Sequence, residues 1–146
     1  MTAPEQPSSG PREPAARPAV DRSPTPLILI VDGDEAVVDL TERVLQRFGF
    51  RVIAARDGEE AVDRLTADEP DLVLLEANLS RHGGFDVCAD IRRLYHTPVI
   101  MLTTSQDRED ILRAFAAGAA DYVTKPFSPF DLAARITAVL GWRGSQ

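Results

Sequence analysis

The fold is decided by the sequence LILIV at 27–31, which is followed directly by DGDE at 32–35. A run that is apolar at every position is typical of a strand buried on both faces. The residues at 35–48 repeat apolar side chains at helical spacing, and Gly49 predicts the end of that helix. A buried strand followed by an amphipathic helix is the repeating unit of a parallel sheet covered by helices.

The same unit recurs four more times along the chain. Further strands are predicted at 51–54, 72–75, 99–102 and 122–124, and further helices at 58–67, 84–94, 107–117 and 128–140. The predicted N-caps of the helices are Asp34, Asp57, Asp107 and Ser128. The sequence therefore predicts an α/β fold with five parallel strands, helices on both faces and no second domain.

The ends of the chain differ in composition from this central part. Residues 1–26 hold seven of the eleven prolines and almost no large apolar side chains. Such a segment buries too little apolar surface to offset its loss of conformational entropy, so a disordered tail is predicted there. The folded domain is expected at 27–141, with a short tail at 142–146.

The charge and the cysteine content exclude several function classes. The net charge is −7, and the tail is neutral, so the excess negative charge lies on the folded domain. An acidic domain without a basic stripe is not expected to bind nucleic acid directly. The single cysteine, Cys88, cannot form an internal disulfide and is expected in the core. We find no secretory signal and no apolar run long enough to span a bilayer, so a cytoplasmic location is expected.

Polar side chains follow four of the predicted strands, at the sheet edge where open α/β folds bind ligands. The groups are Asp32-Gly33-Asp34-Glu35, Glu76-Ala77-Asn78, Thr103-Thr104 and Lys125-Pro126-Phe127. Acids, an amide, hydroxyls and an ammonium at one edge suit a cation and a phosphoryl group. Lys125 is the one lysine in a chain with fifteen arginines, which favours a specific role for its compact, flexible ammonium.

Four motifs carry a resemblance to a known family. They are ILIVD at 28–32, DLVLL at 71–75, PVIMLT at 98–103 and GAADYVTKPFSP at 118–129. Together they resemble the receiver domain of response regulators in two-component (phosphorelay) signal transduction, closest to receivers of winged-helix transcription regulators. The resemblance implies a flavodoxin-like (βα)5 fold with strand order 2-1-3-4-5.

The resemblance also implies roles for particular residues. Asp32 and the carbonyl of Asn78 match ligands of Mg²⁺, while Thr103 and Lys125 match the groups that contact the phosphoryl oxygens. Tyr122 matches an aromatic residue that the family couples to the threonine. The Lys125–Pro126 bond matches one that the family holds in the cis form.

Two positions depart from the family pattern. Glu76 stands at the phosphoacceptor position, where the family has aspartate, and Gly33 stands where it has a second metal-binding acid. The longer side chain moves the carboxylate by up to about 1.5 Å, and a misplacement of about 1 Å can cost about 100-fold in rate. Gly33 removes a ligand from Mg²⁺, so only weak Mg²⁺ binding and no other cofactor are expected. Lesser departures are Ser80 and the turn at 82–84.

These departures lead to a functional hypothesis with two alternatives. We expect an atypical receiver, not an enzyme, that regulates through protein partners (a regulator or a kinase) without phosphorylation. In it Glu76 pairs with Lys125 and hydrogen-bonds Thr103, which imitates part of the charge of a phosphoryl group. The alternatives are a phosphorylatable, Mg²⁺-dependent receiver controlled by a histidine kinase, and an unrelated flavodoxin-like nucleotide-binding protein. No glycine-rich phosphate loop follows the first strand, which argues against the last.

The resemblance also suggests an interface on helix 4, strand 5 and helix 5. Asp121, Asp131 and Arg135 match the charged residues with which this subfamily forms homodimers, while Ile111 replaces a basic residue. A weak or altered homodimer is therefore expected. Only five residues follow Gly141, which leaves no room for a helix-turn-helix. Either the protein acts through partner proteins, which we favour, or the sequence is a fragment of a longer regulator.

Overall fold

The computed structural model describes residues 25–79 and 83–141, which form five strands and five helices. The strands are β1 (Leu27–Val31), β2 (Arg51–Ala55), β3 (Leu72–Leu75), β4 (Val99–Thr103) and β5 (Asp121–Thr124). The helices are α1 (Glu35–Arg47), α2 (Gly58–Asp68), α3 (Gly84–Leu94), α4 (Arg108–Ala116) and α5 (Pro129–Leu140). Apart from residues 25 and 26, the predicted tails lie outside the described residues. The same is true of Ser80 and His82. No helix in the described ranges is long and apolar enough to cross a bilayer.

All neighbouring strands of the sheet are parallel, and their order is β2-β1-β3-β4-β5. The predicted fold class and strand order are confirmed. Val31 at the end of β1 pairs in register with Leu75 at the end of β3. The residues that follow these two strands are therefore neighbours at the carboxyl edge of the sheet.

The strands are apolar throughout because each face of the sheet packs on its own core. Leu29 and Val31 face a core that includes residues of α2, α3 and α4. Ile28 and Ile30 face the opposite core, which includes residues of α1 and α5. Alternate positions of one strand thus face opposite layers of helices, and both need apolar side chains.

Three of the four predicted N-caps make the expected hydrogen bonds. Asp34 accepts from the N–H groups of the first turn of α1, Asp57 accepts from the N–H of Glu60, and Ser128 accepts from the N–H of Asp131. Asp107 occupies the N-cap position of α4, but its side chain makes no cap hydrogen bond. The start of α4 is therefore stabilised by other groups.

Cys88 is a core residue, as the sequence predicts. It is fully buried on α3, and its thiol donates to the carbonyl of Ala117 at 3.6 Å. Burial raises the pKa of this thiol to about 11. A thiol with such a pKa is almost entirely protonated at neutral pH and is a poor nucleophile.

Candidate functional site

Three strand ends bring two carboxylates and one ammonium together at the carboxyl edge of the sheet. Asp32 follows β1 and Glu76 follows β3, and only 7% and 8% of their surfaces are exposed. The backbone N–H of Glu76 donates to the carbonyl of Val31 at 3.0 Å, which extends the ladder between the two strands. The ladder therefore holds both carboxylates side by side.

The ammonium of Lys125 lies between these carboxylates. Its Nζ is 2.5 Å from Oε1 of Glu76 and 3.2 Å from Oδ2 of Asp32. Lys125 follows β5, where its N–H donates to the carbonyl of Thr103 at 2.8 Å, and the peptide bond to Pro126 is cis, as predicted. The ion pair between Glu76 and Lys125 that the sequence suggests is therefore formed.

The other oxygen of each carboxylate has a backbone donor. Oδ1 of Asp32 accepts from the N–H of Asp34 at 2.9 Å, and Oε2 of Glu76 accepts from the N–H of Asn78 at 2.8 Å. Each oxygen of the two carboxylates thus accepts a hydrogen bond from this chain. Burial by itself lowers the pKa of Lys125, but the hydrogen bond and charge of Glu76, with the charge of Asp32, outweigh it and raise the pKa above its usual value.

Thr103 and Tyr122 are linked to the start of α4 instead of to the carboxylates. The fully buried Thr103 accepts at Oγ1 from the N–H of Ser105 at 3.4 Å, and the Tyr122 hydroxyl donates to the carbonyl of Ser105 at 2.9 Å. The suggested hydrogen bond between Glu76 and Thr103 is not formed, so that detail is wrong. Both oxygens of Glu76 are already held by Lys125 and by the N–H of Asn78.

A close backbone contact fixes the segment that follows Glu76. The N–H of Gly84, the first residue of α3, donates to the carbonyl of Ala77 at 2.8 Å. A Cβ on Gly84 would lie 2.6 Å from the Cα of Ala77 and closer still to the carbonyl of Glu76. The sequence indicates only a turn here, since a close approach of two backbones leaves no signal beyond the glycine itself.

At this edge the positive charge between the two carboxylates is an ammonium, which disfavours a Mg²⁺ ion there. Asp32 and Glu76 are the two carboxylates, Gly33 offers no side-chain donor, and the Lys125 ammonium lies between the acids. Among residues 25–79 and 83–141, no group of three or more His, Cys, Asp or Glu side chains is placed to hold a metal ion. Mg²⁺ requires near-octahedral oxygen ligands, whereas here an ammonium provides the positive charge.

The predicted interface residues bond to one another within the chain. Arg135 on α5 donates to both oxygens of Asp121 at 3.0 Å and to Asp131 at 3.0 Å. These hydrogen bonds, led by that to Asp121, raise the pKa of Arg135. The guanidinium joins α5 to the first residue of β5, so these three charges form one network on the surface.

Comparison with known proteins points to one family. The family model described as response regulator receiver domain matches residues 28–137. The transcriptional regulatory protein YvrH of Bacillus subtilis is 43% identical over 114 residues, which are 77% of this chain and 48% of that protein. The chain therefore spans about half the length of this relative.

Two solved structures extend the comparison to the fold. A two-component response regulator from Clostridium difficile is 31% identical with a TM-score of 0.77, covering 80% of this chain and 97% of that one. The BeF3-activated N-terminal receiver domain of RstA from Klebsiella pneumoniae is 29% identical with a TM-score of 0.75, covering 78% and 97%. The family model matches most of the chain and both solved structures share its fold, so the chain belongs to the family of response regulator receiver domains.

Proposed function

We propose that this receiver domain works in two-component signalling as a binding module in the cytoplasm, through contacts with partner proteins and without phosphorylation of Glu76. The observation that carries the proposal is the position of Lys125 between Glu76 and Asp32, at 2.5 and 3.2 Å. Transfer of a phosphoryl group to a carboxylate depends on the position of the attacking oxygen and on a metal ion that neutralises charge. Here both oxygens of Glu76 are engaged, and an ammonium of the chain neutralises part of the charge.

The proposed output is the regulation of transcription through a protein partner. The relative in Bacillus subtilis is named as a transcriptional regulatory protein, and this chain spans 48% of its length. A net charge of −7 disfavours direct contact with a nucleic acid backbone. The partner is therefore proposed to be a protein, either a regulator or a kinase.

Any homodimer through α4, β5 and α5 is proposed to be weak. Nε and Nη1 of Arg135 already donate to Asp131 and Asp121 of its own chain, and exposed ion pairs add little free energy to an interface. Light scattering at micromolar concentration should give the mass of a monomer. A tight dimer that Arg135→Ala dissociates would contradict this proposal.

Phosphorylation is tested by intact mass after incubation with an acyl phosphate and Mg²⁺. The native chain should keep its mass, and the double variant Gly33→Asp/Glu76→Asp should gain one phosphoryl group. The new aspartate at 33 is accommodated, since a Cβ there would meet only the carbonyl of Arg56, at 3.6 Å. The shorter side chain at 76 withdraws the carboxylate from Lys125 and restores the length of the family's acceptor.

The matched control is Gly33→Asp/Glu76→Asn, which has the shape of the double variant without a nucleophilic carboxylate. It should stay unmodified, so that a mass gain confined to the aspartate variant assigns the modification to position 76. Phosphorylation of the native chain would overturn the proposal and support the Mg²⁺-dependent alternative. A double variant that stays unmodified while folded would also contradict the proposal. Residues 33 and 76 would then not explain why the native chain is not phosphorylated.

A further inference from the structure

Ser105, in the loop between β4 and α4, has a hydrogen bond at every polar group. Its N–H donates to Oγ1 of Thr103 at 3.4 Å, and its carbonyl accepts from the Tyr122 hydroxyl at 2.9 Å. Its own hydroxyl donates to Oδ2 of Asp110 at 2.6 Å and accepts from the N–H of Asp107 at 3.2 Å. One residue therefore connects β4, β5 and the first turn of α4.

The hydroxyl of Ser105 provides hydrogen bonds at the start of α4, where the N-cap side chain provides none. Asp107 occupies the N-cap position without a side-chain cap hydrogen bond. Asp110, in the first turn, instead reaches back to the Ser105 hydroxyl, and that hydroxyl accepts from the N–H of Asp107. Helix starts need such partners because their first N–H groups have none within the helix. The start of α4 is thus tied to the residue that also holds Tyr122.

We propose that Ser105 is a positioning residue. Its backbone holds Thr103 and Tyr122, and its hydroxyl attaches the first turn of α4 to them. The proposal deepens the function proposed above, because a domain that regulates without phosphorylation needs a fixed surface to present. Thr103 and Tyr122 are 0% and 9% exposed, so their positions depend on the groups that hold them inside. Without the hydroxyl, the first turn of α4 loses its side-chain hydrogen bond to the loop.

The environment of Tyr122 provides a direct readout. Burial raises the pKa of Tyr122 above its usual value, the hydrogen bond with Ser105 lowers it in part, and the negative charges of Asp110, Asp107 and Glu76 raise it further. A loop that loosens lets water reach the phenol, and the pKa then falls towards its usual value. The ionisation of Tyr122 therefore reports whether the loop around Ser105 is intact.

The experiment uses the Tyr95→Phe background, in which Tyr122 is the one remaining tyrosine. The phenol is titrated by ultraviolet absorbance in this parent, in Ser105→Ala and in Ser105→Thr. The alanine variant should lower the pKa of Tyr122 towards its usual value, because the loss of burial, the largest cause of the shift, outweighs any loss of the hydrogen bond with Ser105. The threonine variant keeps a hydroxyl and should keep the parent value. Amide hydrogen exchange should become faster in α4 of the alanine variant and stay unchanged in α5.

Two results would overturn the role of Ser105. One is an unchanged Tyr122 titration in a folded alanine variant. The other is an equal shift of the Tyr122 pKa in the alanine and threonine variants, because the shape of residue 105, and not its hydroxyl, would then cause the shift. If the alanine variant does not fold, Ser105→Cys, a weaker hydrogen-bonding group, takes its place with the same expected direction. None of these titrations involves a phosphodonor, so this proposal and the proposed function can fail separately.

Discussion

Replacing Lys125 with methionine should lower the free energy of unfolding by about 3 kcal/mol, because it leaves two buried carboxylates without their shared cation. Methionine has nearly the length of lysine, so the loss reflects charge more than volume. The side chains of Lys125, Asp32 and Glu76 are only 16%, 9% and 10% exposed, and water can replace the ammonium only in part. Urea denaturation at pH 7 measures the change.

The pH dependence of this variant has a definite sign. In the native domain the pKa of Lys125 is raised, so its contribution is present below the ordinary lysine value of about 10.5 and is lost only as the pH rises through the folded value. In Lys125→Met the two facing carboxylates repel each other without a cation between them, and acid relieves that repulsion. The deficit against the native domain should therefore shrink in acid.

Two further variants control for packing at this site. Lys125→Arg keeps the charge and should cost less than methionine, while Lys125→Met/Glu76→Gln removes one facing charge and should recover part of the loss. A deficit below about 1 kcal/mol, the range of exposed ion pairs, would show that Lys125 is not the internal counter-ion. A deficit independent of pH would show the same.

Replacing Gly84 with alanine should destabilise the domain by about 3 kcal/mol, at the upper end of the range for overpacking. The new Cβ would meet the backbone of Glu76 and Ala77, at 2.6 Å from the Cα of Ala77, and backbone atoms cannot turn aside as a flexible side chain can. The start of α3 and the segment after β3 must therefore separate. The melting temperature, followed by circular dichroism, should fall by more than about 10 °C.

The neighbouring glycine provides the matched control. A Cβ on Gly83 would meet no atom within 4 Å, so its replacement by alanine should cost only the difference between the two residues at an N-cap, about 0.5–1 kcal/mol. Gly83→Ala should therefore melt close to the native protein. Equal melting temperatures for the two alanine variants would contradict the close contact at Gly84.

Most of the fold could be predicted from local sequence. Runs such as 27–31 and 72–75 indicate buried strands, and glycines and caps mark the helix ends to within a residue or two. The exception among the caps is Asp107, where propensity identifies the N-cap position but not the group that bonds there. That group is the hydroxyl of Ser105, which is held there by a contact with Asp110 that forms only when α4 folds.

The residues of the site could be predicted from the sequence, but not all of the hydrogen bonds that they make. The residues after each strand identify Asp32, Glu76 and Lys125, and their meeting follows from the parallel sheet. The partner of Thr103 was not predictable, since it is the backbone N–H of Ser105, whose position depends on the path of the loop after β4. Backbone donors are present at every residue except proline, so a sequence does not indicate which of them a carboxylate will use.

The burial of Cys88 makes the domain suitable for site-specific labelling. With a pKa of about 11, the native thiol is ionised to about one part in ten thousand at pH 7, and maleimides react with the ionised form. A cysteine introduced at Leu112, whose surface is 62% exposed on α4, should take the dye alone. A fluorophore there would report partner binding in the otherwise native chain.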